Sequence, residues 1–312
     1  MPDIRFGVSY SRLHSVVPIP QFGEAVESIG FDGVWVTEGL VNELPALDIL
    51  MSLQAFVSCT QRITVGTGVL LLPLRNPAIV AKQVATADVI SDGRVILGVG
   101  VGGSRNSNPA GFEVCGIPLK ERGGRTDEAL EVMTKLWTGE PVSHSGRYHS
   151  FENITMDPPP RQRPHPPIWT GGGSAERVLR RTARWCDGFL PTEIASEHYP
   201  GLWDRIRRYG DEYGRDTSGM VKALHIYLSL DTDRDAARAV AERTLTERYG
   251  FDVTLPDEPG KYAFGTVDDC ARVIEAFVAV GVTDFVFNTV RPLSEVLGQV
   301  ERLGTEVMPH FT

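Results

Sequence analysis

Residues 62–101 read RITVGTGVLLLPLRNPAIVAKQVATADVISDGRVILGVGV. The two ends of this stretch, residues 62–72 and 94–101, are apolar runs rich in β-branched residues, which is typical of strands covered on both faces. Residues 77–89 between them have helical spacing and stop at a Ser-Asp-Gly turn. The stretch therefore predicts a strand–helix–strand unit of a parallel sheet.

The same alternation extends in both directions along the 312 residues. Further strands are predicted at residues 4–9, 33–37, 168–170, 188–190, 221–230 and 284–288. Further helices are predicted at residues 19–29, 45–58, 119–137, 175–184, 197–213, 234–249, 267–279 and 294–307. Eight strands, each followed by a helix, predict an α/β protein in which the sheet closes into a (β/α)8 TIM barrel.

Several segments interrupt the alternation, and the insertions at residues 104–118 and 250–262 are interpreted as part of the carboxyl-end rim. Residues 102–118 form a glycine-rich loop, residues 144–151 a small hairpin, and residues 251–261 an irregular segment. Residues 158–167 (PPPRQRPHPP) contain six prolines. They are either a domain linker or a rigid connection laid along one domain. We favour the second interpretation because the alternation resumes at once, and we expect a single domain over residues 1–312.

Composition narrows the possible functions. The net charge is −9 and 42% of the residues are hydrophobic. The acidic balance disfavours nucleic-acid binding, and no apolar run is long enough to span a membrane. We expect no secretory signal, because the N-terminal residues have no basic stretch followed by an apolar one. The four widely spaced cysteines form no disulfide framework, which predicts a cytoplasmic location. The seven histidines have no metal-binding spacing, so we expect no metal site.

Barrel enzymes place their chemistry at the carboxyl ends of the strands, which directs attention to a glycine run there. Gly171, Gly172, Gly173 and Ser174 follow a predicted strand and precede a predicted helix. They form either a phosphate-binding turn at the helix N-terminus or a tight turn capped by Ser174. We favour the phosphate-binding turn, because capping does not need three glycines.

Three further features carry less specific signals. Gly98, Gly100 and Gly103 match GxGxxG, but three strand–helix units precede them, so we interpret them as packing glycines and not as a dinucleotide site. Gly68 indicates a bulge within the predicted strand 62–72. Glu38 ends the second strand, where it is either functional or a solvated rim carboxylate.

Five segments together resemble the bacterial luciferase-like monooxygenase superfamily. They are GFDGVWVTEG (30–39), the stretch from Arg62 to Gly103, ERGGRTDEALEVMTKLWTGEPV (121–142), PPIWTGGGSAERVLRRTARWCDGFLP (166–191) and FGTVDDCARVIEAFVAVGVTDFVF (264–287). The segment LLLPLRNPAIVAKQVATADVISDGR is most similar to the branch of this superfamily that depends on the deazaflavin coenzyme F420. The resemblance implies a barrel with rim insertions, a homodimer, and hydride transfer between F420 and a small organic substrate. FMN is the alternative cofactor, with oxygen as co-substrate, and a non-catalytic flavin-binding homologue is a second alternative.

The resemblance also implies roles for particular residues. A bulge with a cis peptide at Gly68–Val69 would lie behind the cofactor ring, and the Gly171 turn would hold a phosphate. The cofactor-binding residues that we expect are Glu38, Gly68, Val69, Leu70, Val101, Asn106, Gly171, Gly172, Gly173, Ser174, Leu190 and Pro191. We expect no nucleic-acid partner and no membrane partner.

Two departures from the resembled pattern bear on catalysis. Gly39 stands where many deazaflavin enzymes have a histidine, and Gly103 stands where the sugar-phosphate dehydrogenases have a glutamate. Both residues would handle the proton of a sugar hydroxyl, so we expect a different substrate. The candidates for the catalytic acid or base are then Glu38, Tyr10 and Arg105, with His14 as a further possibility by position.

Overall fold

Eight parallel strands close into a ring, which confirms the predicted barrel. The computed structural model describes residues 3–12, 15–41, 46–102, 109–256, 258 and 260–311. Its strands are β1 (Arg5–Tyr10), β2 (Gly33–Val36), β3 (Thr64–Thr67), β4 (Leu70–Leu71), β5 (Val95–Gly100), β6 (Val142–Ser145), β7 (Ser150–Ile154), β8 (Ile168–Gly172), β9 (Gly188–Pro191), β10 (Val221–Leu230), β11 (Ala263–Gly265) and β12 (Asp284–Thr289). The ring runs β1-β2-β3-β5-β8-β9-β10-β12, and β12 pairs with β1 to close it.

Helices alternate with these strands as the spacing predicted. They are α1 (Ile19–Ile29), α2 (Ile49–Cys59), α3 (Pro77–Ile90), α4 (Pro109–Val114), α5 (Arg122–Leu136), α6 (Glu176–Trp185), α7 (Tyr199–Tyr213), α8 (Arg234–Tyr249), α9 (Val267–Ala279) and α10 (Val296–Arg302). Local signals place their ends: Asp48 accepts hydrogen bonds from the first amides of α2, and Asn76 does the same for α3. Gly30 ends α1 with a φ of 106°.

The structure corrects several predicted boundaries. The predicted strand 62–72 is two strands, β3 and β4, separated by Gly68 and Val69. The predicted loop 102–118 contains α4, and the short strand β11 extends the sheet beyond the ring beside β10. The predicted hairpin exists as β6 and β7, which are antiparallel.

Two indole rings fill the middle of the barrel. Trp35 on β2 and Trp169 on β8 stack with their ring centroids 4.9 Å apart. A Cβ added at Gly7, Gly66 or Gly188 would lie 2.4–2.6 Å from one of these indoles, so these interior glycines make room for the rings. Because the indoles close the middle of the barrel, a ligand site must lie above them, toward the carboxyl ends of the strands.

The main apolar core includes Phe6 on β1 and Met308 close to the C-terminus. The single domain stays a prediction that agrees with this shared core. In the described part of the chain, no helix is long and apolar enough to cross a membrane. The four cysteines are free: Cys186 and Cys270 are buried, and Cys59 and Cys115 are partly exposed.

Candidate active site

A bulge after β3 carries the side chain of Val69 into the barrel wall. The peptide bond between Gly68 and Val69 is cis, which confirms the predicted geometry and position. A Cβ added at Gly100 on β5 or at Gly171 on β8 would lie 2.6 Å from a methyl group of Val69. These glycines therefore pack against the bulge, as the interpretation of Gly98 and Gly100 as packing glycines requires.

Glu38 lies two residues beyond β2 and holds the segment that follows the bulge. Its Oε2 accepts hydrogen bonds from Nη1 of Arg75 at 2.7 Å and from the backbone N–H of Leu71 at 3.2 Å. Its Oε1 accepts from Nη2 of Arg75 at 3.2 Å, and only 5% of the Glu38 side chain is exposed. This geometry favours a positioning role for Glu38 over the acid–base role that we predicted.

Arg75 joins Glu38 to the start of α2. Its Nη2 also donates to Asp48 at 2.9 Å, and Asp48 caps α2. Burial lowers the pKa of Arg75, but the charges of Glu38 and Asp48 outweigh burial and leave that pKa raised. Sequence reasoning missed Arg75, although the residue lies within the LPLRNP segment that carries the family resemblance.

Tyr10 does not reach the barrel interior, which corrects its prediction as an acid–base candidate. Its hydroxyl donates to the carbonyl of Val17 at 2.7 Å, and its ring lies against Phe22 and Phe56 on the helix side of β1. Burial raises the pKa of Tyr10 to about 12. The alternation of side chains along β1 explains the error. Neighbouring residues of a strand face opposite sides, and Ser9 is the one that faces the barrel interior. Arg105, Asn106 and His14 lie outside the described residues.

The glycine turn has the shape that a phosphate site needs. Gly172 has a φ of 146°, and a Cβ added at Gly173 would meet nothing within 4 Å. Ser174 is exposed, α6 is preceded by Ala175, and the described residues supply no side-chain cap, so the alternative of a turn capped by Ser174 receives no support. The first amides of a helix have no partner within the helix, and the N-terminus of α6 adjoins this turn, so an anion bound there could accept their hydrogen bonds.

Other predicted cofactor residues adjoin this turn. Leu190 and Pro191 on β9 pair with Gly171 and Gly172 on β8. Val101 is partly exposed just beyond β5, whereas Leu70 is fully buried in the apolar core. The structure therefore brings the bulge, the glycine turn and the end of β9 together on one half of the barrel mouth.

The other half of the mouth carries polar side chains that are not among the predicted site residues. The hydroxyl of Ser9 on β1 is buried and has no hydrogen-bond partner among the described residues, and the same holds for the hydroxyl of Tyr262. His225 is on β10, and its Nδ1 lies 3.3 Å from the hydroxyl of Thr192. The alternation within residues 221–230 was the available signal for His225, because it places that residue on the inner face with Ala223.

A metal site receives no support from the described part of the chain. No group of three or more His, Cys, Asp or Glu side chains there could hold a metal ion. The expectation of a metal-free site stays a prediction.

Comparison with known proteins gives a family match over most of the chain. The sequence profile of the luciferase-like monooxygenases matches residues 6–264. A protein of Segniliparus rotundus named F420-dependent glucose-6-phosphate dehydrogenase is 34% identical over 220 residues, which are 68% of this chain and 64% of that protein. A protein of the same name from Nakamurella multipartita is 31% identical over 247 residues, 76% of this chain and 70% of that protein.

A solved structure repeats the fold over the whole length. The coenzyme F420 dependent tetrahydromethanopterin reductase from Methanopyrus kandleri superposes with a TM-score of 0.78 and 23% sequence identity. The match covers 99% of this chain and 100% of that one. At this identity the likeness shows the fold alone.

Proposed function

Because this chain belongs to the luciferase-like monooxygenase family, we propose that it is an oxidoreductase that transfers hydride between coenzyme F420 and a small organic substrate. The relatives named F420-dependent glucose-6-phosphate dehydrogenases support the choice of cofactor. The chain spans slightly less than two thirds of the first of these relatives. The proposal therefore rests mainly on the geometry of the barrel mouth.

The open glycine turn beside the Val69 bulge is the observation that carries the proposal. Gly171, Gly172, Gly173 and the first amides of α6 would hold the phosphate of the coenzyme. Val69 would support the ring from behind, and Leu190 and Pro191 would line its edge. The bound deazaflavin supplies hydride transfer, while the protein orients the substrate and excludes water.

The substrate that we propose is not a sugar phosphate. Gly39 and Gly103 replace the histidine and the glutamate that the resemblance leads one to expect in sugar-phosphate dehydrogenases. A barrel mouth that lacks both side chains cannot exchange the sugar hydroxyl proton in the same way. The homodimer and the cytoplasmic location remain predictions beside this proposal.

Titration of the purified apoprotein with F420 and with FMN, followed by absorbance, tests the cofactor. We expect F420 to bind more tightly. Equal affinity for FMN with oxygen-consuming turnover would identify an FMN-dependent monooxygenase instead. Tight binding without turnover of any substrate would identify a non-catalytic homologue.

A substitution at Gly173 tests the phosphate-binding turn. Gly173→Val introduces methyl groups into open space beside the α6 amides, so we expect it to weaken F420 binding more than tenfold and to leave the fold intact. Gly172→Val is a poorer test, because its φ of 146° and the methyl of Val178, 3.1 Å from an added Cβ, would also strain the backbone.

Gly219→Val is the matched control, because a Cβ at Gly219 also meets nothing within 4 Å and the residue lies before β10 at the opposite end of the barrel. Equal F420 affinity in both variants would rule out the assignment of the turn.

A further inference from the structure

His225 lies on the inner face of β10, in the polar half of the barrel mouth. Val221 and Ala223 on the same face pack with the two indoles in the barrel interior, whereas Leu224 and Ile226 pack outward against the helices. His225 is the next inward residue toward the carboxyl end of the strand. His225 is mostly covered by its neighbours and keeps a small exposed surface.

The neighbouring strand joins His225 to the proposed cofactor site. Thr192, the residue after β9, forms a β-bridge with His225, and its hydroxyl lies 3.3 Å from Nδ1. The two residues before Thr192 are Leu190 and Pro191, which pair with the glycine turn. The imidazole is thus about two strand spacings, or roughly 10 Å, from that turn.

The surroundings of His225 keep its ring neutral. Burial and the positive charge of Arg248 lower the pKa of His225 to about 4. Arg248 lies near the end of α8, and its carbonyl accepts a hydrogen bond from Arg12, just beyond β1. The Tyr227 ring packs edge-on to the imidazole with a centroid distance of 6.0 Å.

Other charged and titratable groups reach this corner from the adjoining segments. They act on the neighbouring tyrosines. The charge of Glu193 raises the pKa of Tyr227 and of Tyr262, and Tyr249 raises the pKa of Tyr227. Burial raises the pKa of both tyrosines. Tyr227 and Tyr262 therefore stay neutral, and the hydroxyl of Tyr262 can donate a hydrogen bond to a ligand.

We propose that His225 is the catalytic base for an alcohol substrate, in place of the histidine that is replaced by Gly39 after β2. This inference rests on the proposed function. When Nδ1 donates to Thr192, Nε2 carries a lone pair directed away from that contact. Thr192 then orients the base, as a third group does in other catalytic constellations.

The step balances with the oxidised coenzyme as hydride acceptor. The substrate carbon loses hydride, with its electron pair, to the deazaflavin, while the hydroxyl proton passes to Nε2 of His225. The electron pair of the broken O–H bond forms the C=O bond, so the alcohol becomes a ketone or aldehyde and the coenzyme is reduced. The hydroxyls of Ser9 and Tyr262 are buried and have no partner among the described residues, so a substrate oxygen that reached them could accept their hydrogen bonds.

The first test uses the apoprotein with ring-labelled histidine and cyclohexanol as the probe. The NMR signal that is missing from His225→Gln belongs to His225. We expect cyclohexanol to shift this signal and to leave that of His198, whose side chain is 69% exposed, in place. We also expect the His225 signal not to titrate between about pH 7 and pH 5, where ordinary histidines do. A His225 signal that ignores cyclohexanol overturns the proposal, whereas the titration checks only the effect of the surroundings on the ring.

The second test uses the F420-loaded enzyme with cyclohexanol and a set of short secondary alcohols. We expect His225→Gln to lower kcat by about 10²–10⁴-fold with unchanged F420 affinity, as removal of a general base does. His198→Gln is the matched control and should retain full activity. Unchanged turnover in His225→Gln, or no turnover of any alcohol by the wild type, overturns the role of His225. Failure of the wild type to bind F420 would instead overturn the proposed function itself.

Discussion

At the barrel mouth, the side chain of the single residue Glu38 is held at both carboxylate oxygens. Arg75 contacts both carboxylate oxygens, and the amide of Leu71 contacts one of them. The contact with Leu71 ties the end of β2 to β4, immediately after the bulge. A carboxylate held in this way fixes the shape of the mouth and has little freedom to exchange protons with a substrate.

Glu38→Gln should therefore affect stability as well as activity. Loss of the charge leaves Arg75 with a weakened partner, and we expect a loss of about 1–3 kcal/mol in the free energy of unfolding, measured with urea. The pH profile of kcat should keep its shape in this variant, because a positioning residue does not titrate in the reaction. A profile that loses one limb would restore Glu38 as the acid or base.

Glu176→Gln provides the control, since Glu176 pairs with Arg180 on the surface with 58% of its side chain exposed. Exposed pairs contribute little, so this variant should unfold at nearly the same urea concentration as the wild type. Equal losses in both variants would contradict the interpretation of the Glu38 contact.

At the scale of elements, the barrel wall is shaped by one side chain that packs among glycines of two neighbouring strands. Val69 lies between β5 and β8, which lack side chains at Gly98, Gly100 and Gly171. The run GVGVGG resembles a nucleotide-binding motif in sequence, yet its described glycines serve packing. The motif alone could not reveal this, because Val69 is about thirty positions away in the chain.

Gly100→Ala should overpack this contact. The added Cβ would lie 2.6 Å from a methyl of Val69, so we expect a loss of about 1–3 kcal/mol, measured by urea unfolding. Val69→Ala in the same chain removes the methyl groups and should recover part of the loss. Gly173→Ala, whose Cβ meets open space, is the control. A double variant no more stable than Gly100→Ala would show that the contact is not the cause.

For the whole molecule, the acid response of folding should carry a contribution from His225. The pKa of His225 is about 4 in the folded protein, below the ordinary value of 6.5. Between these values the unfolded chain binds the proton and the folded one does not, so stability falls as the pH drops through this window. The resulting loss in the free energy of unfolding is zero above about pH 6.5 and reaches roughly 2–3 kcal/mol near pH 4.

The measurement compares urea unfolding of the wild type and of His225→Gln across this range. We expect the difference in unfolding free energy to change with pH between about 6.5 and 4 and to be constant above that range. His149 also has a lowered pKa, caused mainly by burial, but it is present in both proteins and cancels in the difference. A difference that is constant at every pH would show that His225 titrates normally.

The sequence by itself determined the order of strands and helices, the closed barrel and the position of the glycine turn. These features follow from spacing along the chain, and periodicity is a local property that can be read residue by residue. The resemblance added the site of the bulge at Gly68–Val69, which the structure shows as expected.

Only the tertiary structure decided which side chains meet at the mouth. Tyr10 turned out to face the helices, Glu38 met Arg75, Val69 filled the space beside Gly100, and His225 came to lie beside Thr192. Each of these contacts joins residues on different elements, some of them more than thirty positions apart. Strand parity and barrel closure set such contacts, and their effect on a charge or a cavity depends on every neighbour that folding brings near.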